Sequence, residues 1–162
     1  MEKARILCPV DFDMSSLAAL DLAHATVRDN GGTLYVLHVV PSIALLATSV
    51  IPSLVQRTSH FYFAHARLAE IARESLYDVD HHLLLRTGSP AEQILDAATE
   101  LEAQMVVMAT HGRKSPSRLF LGSVAEAVIH RSPCPVLTIG ETAKYESGRS
   151  RSMTASCVAR SR

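Results

Sequence analysis

Cysteine is scarce in this chain of 162 residues: Cys8, Cys134 and Cys157 are the only three. They show no C-x-x-C spacing and are too few for a disulfide framework, which suits a reducing compartment. Long apolar runs are lacking as well. The longest stretch, Ile43 to Val55, is broken by Thr48, Ser49, Pro52 and Ser53, so it falls short of a membrane span and reads as a surface connection or a lid. Met1-Glu2-Lys3-Ala4-Arg5 leads directly into a strand without the apolar core of a secretory signal, so cytoplasmic residence is expected. Net charge is absent too, with 16 basic and 16 acidic residues. From Glu141 onward five basic residues (Lys144, Arg149, Arg151, Arg160, Arg162) face two acidic ones (Glu141, Glu146), leaving the tail at +3 and the body at −3. The body therefore lacks the clustered basic face that nucleic-acid binding needs.

Several catalytic signatures are missing. No G-x-x-x-x-G-K-[ST] occurs, and the first strand-to-helix turn holds no glycine. These gaps count against a P-loop NTPase and a dinucleotide-binding domain. There is no G-x-S-x-G elbow. His38 and the pair His81-His82 have no partner at metal-ligand spacing, since neighbouring strand residues point to opposite faces. No metal site is expected.

What the chain does contain is an alternation of short apolar runs with helical patterns, the signature of an α/β fold with a parallel sheet. Ile6 to Val10 reads as the first strand, and Asp13 or Ser15 offers an N-cap to an alanine-rich helix. Leu17, Leu20, His24 and Val27 share one face of that helix, which ends at Gly31-Gly32. Thr33 to Val40 is the second strand. Phe61, Ala64, Leu68 and Ile71 mark a second helix ending near Leu76, and Val79 to Leu85 forms a third strand. Gly88-Ser89-Pro90-Ala91-Glu92 announces a third helix through a capping box with proline at the first helical position. Met105 to Met108 is the fourth strand, Ser123 to about His130 the fourth helix, and Val136 to Ile139 the fifth strand. One domain over residues 1–140 is expected, followed by a disordered basic tail, 141–162, without periodicity.

The loop from Ala109 to Ser123 carries the most chemistry. It joins the buried fourth strand to a helix whose start, Ser123-Val124-Ala125-Glu126, matches a second capping box. Gly112 and Gly122 permit close backbone approach, Arg113, Lys114 and Arg118 add positive charge, and the helix N-terminus favours an anion. Such loops also occur merely because the chain must turn. Across the sheet, Pro9-Val10-Asp11-Phe12-Asp13 supplies a carboxylate that either meets a ribose or base, or only caps the first helix.

These residues resemble the UspA-like universal stress proteins. Nucleotide-binding members carry G-x-x-G, nine residues, then G-[ST]; here Ala109-Thr110-His111-Gly112 is followed after nine residues by Gly122-Ser123. Pro9-Val10-Asp11-Phe12, Leu37-His38-Val39-Val40, Gly88-Ser89-Pro90-Ala91-Glu92 and Ser132-Pro133-Cys134-Pro135-Val136-Leu137 extend the likeness over residues 3 to 140. It implies a Rossmann-like (adenine nucleotide alpha hydrolase-like) open sheet of five parallel strands in order 3-2-1-4-5. It further implies a homodimer paired through Val136 to Ile139, and ATP, with or without magnesium, in the crevice. Carried over, Pro9 and Asp11 lie near the adenosine and Val39 on the adenine. Ala109, Thr110, His111, Gly112, Arg113, Lys114 and Ser115 wrap the phosphates, and Gly122, Ser123, Val124 and Ala125 complete the site. Ala109 stands where the family has a glycine, and its methyl, or a positive φ that alanine resists, is expected to weaken binding.

The expected function is an ATP-binding, dimeric stress-response regulator without dedicated catalysis. The alternative is a dimeric interaction module that binds no nucleotide. A nucleotidyl transferase is a third possibility, but it would want a histidine-rich motif near the first helix, and none is present.

Overall fold

The computed structural model describes residues 3–41, 54–110, 121–140 and 154–158. Strands β1 (Arg5–Pro9), β2 (Thr33–Pro41), β3 (His81–Gly88), β4 (Met105–Ala109) and β5 (Val136–Gly140) alternate with helices α1 (Met14–Asn30), α2 (Leu54–Ser75), α3 (Pro90–Glu100) and α4 (Ser123–Arg131). The five strands pair in parallel in the order β3-β2-β1-β4-β5, the order expected. A sixth strand, β6 (Thr154–Val158), adds to β5 in the antiparallel sense. Residues 154–158 thus carry regular structure inside the stretch expected to have none. Nothing local signals them, because the segment is short and mixed and takes its strand form only by pairing with the edge of β5.

Strand alternation sorts the core into two layers. Ile6 and Cys8 of β1, Leu34 and Val36 of β2 and Val107 of β4 pack with Ala19, Leu20, Ala23 and Val27 of α1 and Leu68, Ile71 and Ala72 of α2. Leu7, Leu37, Val39, Val106 and Met108 point the other way, toward Ile94, Ala97 and Ala98 of α3 and Ala125 and Val128 of α4. Leu7 and Cys8 are both fully buried, so the central strand is covered on both faces, as its unbroken apolar run requires. On α1, His24 does not join the buried face. Its Nε2 lies 2.6 Å from Asp78 Oδ1, tying the helix to the turn after α2.

Gly32 shows how tightly the first crossover is drawn. Its φ is +137°, and a Cβ there would come within 2.5 Å of the Ala4 carbonyl oxygen. The same oxygen accepts the Thr33 amide at 2.7 Å. Only glycine lets β2 start against β1 here.

Candidate functional site

The two central strands part before they end. β1 and β4 are register partners at Ile6↔Met105 and Leu7↔Val106, yet β1 continues to Pro9 and β4 to Ala109. Their outer ladders do not part: β1 stays with β2 through Pro9↔Leu37, and β4 with β5 through Ala109↔Ile139. A crevice therefore opens at the carboxyl ends of β1 and β4, where the winding of the sheet reverses, the usual ligand position in such sheets.

One wall is the turn from Val10 to Asp13. Asp13 is the N-cap of α1, its Oδ1 accepting the Ser16 amide at 2.8 Å. That assigns the capping role to Asp13, which from sequence stood open among Asp11, Asp13 and Ser15. Asp11, half-buried, instead accepts the Asp13 amide on Oδ1 at 3.2 Å, while its own amide donates to Ser16 Oγ at 3.2 Å. Its carboxylate is held at the mouth of the crevice without being consumed by the helix.

Between them Phe12 takes φ 67°, a left-handed conformation costly for a bulky side chain. Its ring stacks on His38, with centroids 4.2 Å apart and planes at 26°. His38 Nδ1–H donates to the Val10 carbonyl at 2.8 Å, and the Val10 amide donates to the Leu37 carbonyl at 2.8 Å. β2 thus fixes the shape of this wall. Phe12 and His38 belong to the site architecture, although neither was a candidate binding residue. A phenylalanine between two aspartates, with histidine at the end of the adjacent strand, is the signal that could have pointed to them.

The other wall rises from β4. The Thr110 amide donates to the Ile139 carbonyl at 2.9 Å, the Thr110 hydroxyl donates to the same oxygen at 3.2 Å, and the Gly122 amide donates to the Thr110 carbonyl at 2.8 Å. Thr110 and Gly122, the two ends of the loop, are therefore drawn together. His111, Gly112, Arg113, Lys114 and Ser115 lie outside the described residues. Ala109 sits in β4 opposite Ile139. Among the described non-glycine residues only Phe12 and Glu102 take positive φ, so alanine at 109 bears no such backbone strain.

The capping box expected at Ser123 does not form. The N-cap is Gly122, no side chain caps the helix, and Ser123 is its exposed first residue. The box at Ser89 fails in a different way. Ser89 is the N-cap but makes no side-chain cap bond, and Glu92 pairs with Arg131 of α4 instead, at 2.5 and 3.0 Å. Val124 is half-buried, and Ala125 is buried in the same cluster as Val39 and Met108. Pro9 ends β1, half-buried.

Cys8 and Cys134 are structural rather than reactive thiols. Burial pushes the Cys8 thiol far above its ordinary range, Asp21 adding to it, and burial also raises that of Cys134; both are free cysteines. Among the described residues no three His, Cys, Asp or Glu side chains gather to hold a metal, and no helix is long and apolar enough to cross a membrane.

Comparison with known proteins agrees with this architecture. The universal stress protein family model matches residues 4–140. Universal stress protein MJ0531 of Methanocaldococcus jannaschii is 30% identical over 146 residues, covering 86% of this chain and 84% of that protein. Among solved structures, hypothetical protein MJ0577 superposes with a TM-score of 0.76 at 25% identity, covering 89% of this chain and all of that one. A universal stress protein from Archaeoglobus fulgidus, solved in complex with dAMP, gives a TM-score of 0.55 at 25% identity over 85% of this chain and 98% of its own.

Proposed function

This chain belongs to the universal stress protein family, and from that premise we propose that it binds ATP in the crevice between β1 and β4 and signals the bound state through pairing of two copies along β5. One observation carries the reading: the β1–β4 ladder stops at Leu7 and Val106 while both strands run on, leaving a gap between an acidic turn and a helix with no side-chain cap. The two walls suit the two ends of a nucleotide. Asp11, a carboxylate acceptor at the half-buried turn, suits the hydroxyls of a ribose or the amino edge of a base. The first amides of α4 suit phosphate, which gains hydrogen bonds and a favourable interaction with the helix dipole. That a relative was solved with dAMP supports an adenine nucleotide as the ligand class.

Magnesium, where it accompanies ATP, would arrive on the phosphates. Bound ATP would supply a triphosphate whose charge reaches across to α4; the protein's share is to hold each end. We read the protein as a cytoplasmic binding regulator rather than an enzyme, with any hydrolysis slow and incidental, because the sequence carries no Walker-type lysine motif.

Titration of the purified protein with a fluorescent ATP analogue tests this. Saturable binding is expected in the parent, with an affinity gain of a few-fold in Ala109→Gly, where a methyl beside the loop is removed. Gly122→Val, which puts a branched side chain at the α4 entrance, is expected to abolish saturation. Absence of saturable signal in all three proteins would overturn the ATP reading and favour an interaction module that binds no nucleotide.

A further inference from the structure

The outer edge of β5 is occupied over its whole length. Val136↔Val158, Leu137↔Cys157, Thr138↔Ser156, Ile139↔Ala155 and Gly140↔Thr154 are register partners, and this is an antiparallel pairing in a sheet whose other four pairings are parallel. Two copies of this chain brought together along β5 by a two-fold axis would also place their β5 strands antiparallel. The edge groups that a second copy needs are those that β6 already holds.

We propose that residues 154–158 are a cap built into the chain, folding back in cis on β5, and that a second copy pairs with β5 only after this cap leaves. The proposal rests on the reading that self-association runs along β5. Three features make the cap both effective and removable. The tether, residues 141–153, keeps the strand at high local concentration, so it competes well against a dilute second copy. The tail carries +3 against −3 for the body, an opposite-sign balance that favours association at low salt and is screened at high salt. The cap sequence, Thr-Ala-Ser-Cys-Val, is poorer in strand-forming residues than the Val-Leu-Thr-Ile-Gly of β5, so a second β5 is the stronger pairing partner once it is concentrated enough. Edge strands without a cover invite such pairing.

The full chain is compared with its Ala155→Pro/Ser156→Pro variant by sedimentation equilibrium. Adjacent strand amides alternate in direction, so one of the two prolines removes a ladder donor whichever way the strand faces. Self-association is expected to strengthen by at least about tenfold in the variant, and in the parent to strengthen with salt. Equal dimerisation in both proteins overturns the cap and leaves pairing along β5 standing. Weaker association in the variant also overturns the cap, since β6 would then build the dimer by exchange. Two monomers at every concentration overturn the cap and β5 self-pairing together, whereas the ATP titration reads nucleotide binding independently. Placement in cis has its own readout. Leu137→Cys, oxidised with glutathione disulfide, is expected to link to its register partner Cys157 within one chain and to hold that chain monomeric until reduced. A 137–157 link between two chains would overturn the proposal.

Discussion

Two helices start at the crevice, one from each central strand, and they start in opposite ways. α1 opens with Asp13, whose carboxylate accepts the Ser16 amide, while Ser16 Oγ donates back to the Asp13 carbonyl at 3.1 Å. α4 opens with Gly122 and has no side-chain cap. Both N-termini carry the same partial positive charge. The first has its amides capped by the Asp13 carboxylate, whereas the second has no capping side chain, its one first-turn acid being the exposed Glu126, so its leading amides are open to an anion. The comparison gives the crevice a direction: phosphates belong at α4, and the uncharged end of a nucleotide belongs at the Asp11 turn.

Transplanting the cap breaks this asymmetry most directly. Gly122→Asp gives α4 the opening that α1 has. Fold stability is expected to hold or rise by a few tenths of a kcal/mol, the usual gain over glycine at an N-cap. Affinity for the ATP analogue is expected to fall by more than about tenfold, at least about 1.4 kcal/mol, because a fixed carboxylate replaces and repels the phosphates. Unchanged affinity in the titration would remove α4 from the site.

The next contrast separates the two aspartates. Asp13→Ala removes a cap bond and is expected to cost about 1 kcal/mol in urea denaturation, with nucleotide affinity nearly retained. Asp11→Asn keeps an oxygen for the Asp13 amide but loses the charge, so stability is expected to stay within about 0.5 kcal/mol while affinity falls several-fold. If both variants lose stability and neither loses affinity, the turn is only a helix start.

Much of the scaffold is legible in the sequence because buried parallel strands and glycine-ended helices leave strong local marks. Leu7 and Cys8 sit in an unbroken apolar run, and α1 ends at Gly31, at φ +75°. The strand order is not a local property; it entered through the family resemblance and the sheet agrees with it. The cap assignments were not legible. Ser-x-x-Glu occurs at Ser89 and at Ser123, and neither box forms: Ser89 makes no side-chain cap bond while Glu92 is drawn to Arg131, and the helix at Ser123 starts one residue early, on Gly122. A tertiary partner and a shift of one residue are invisible to a four-residue pattern. The left-handed backbone at Phe12 was equally hidden, since a bulky residue gives no hint of it and the His38 ring that stabilises it comes from another strand. β6 was hidden for the same reason: Thr154 to Val158 is short, mixed and small, and its only structural reason is the free edge of β5.

The smallest expected effect separates α3 from α4, the two helices that share a face of the sheet. Glu92 lies in the first turn of α3 and Arg131 in the last turn of α4, so each charge complements the dipole of its own helix as well as its partner. The two-pronged hydrogen bond from Arg131 holds the Glu92 carboxyl below the ordinary glutamate range, and burial opposes this only in part. A carboxyl whose folded pKa lies below its unfolded one contributes its full stability above the unfolded value. That contribution disappears as pH falls through the folded value. In urea denaturation the parent is therefore expected to exceed Glu92→Gln by a small margin at pH 7 that closes on acidification, and that shrinks in high salt because the pair is exposed. A margin that stays constant from neutral to acid pH would mean that Glu92 joins the helices through its stem rather than its charge, and that the two helices on this face are bound by packing alone.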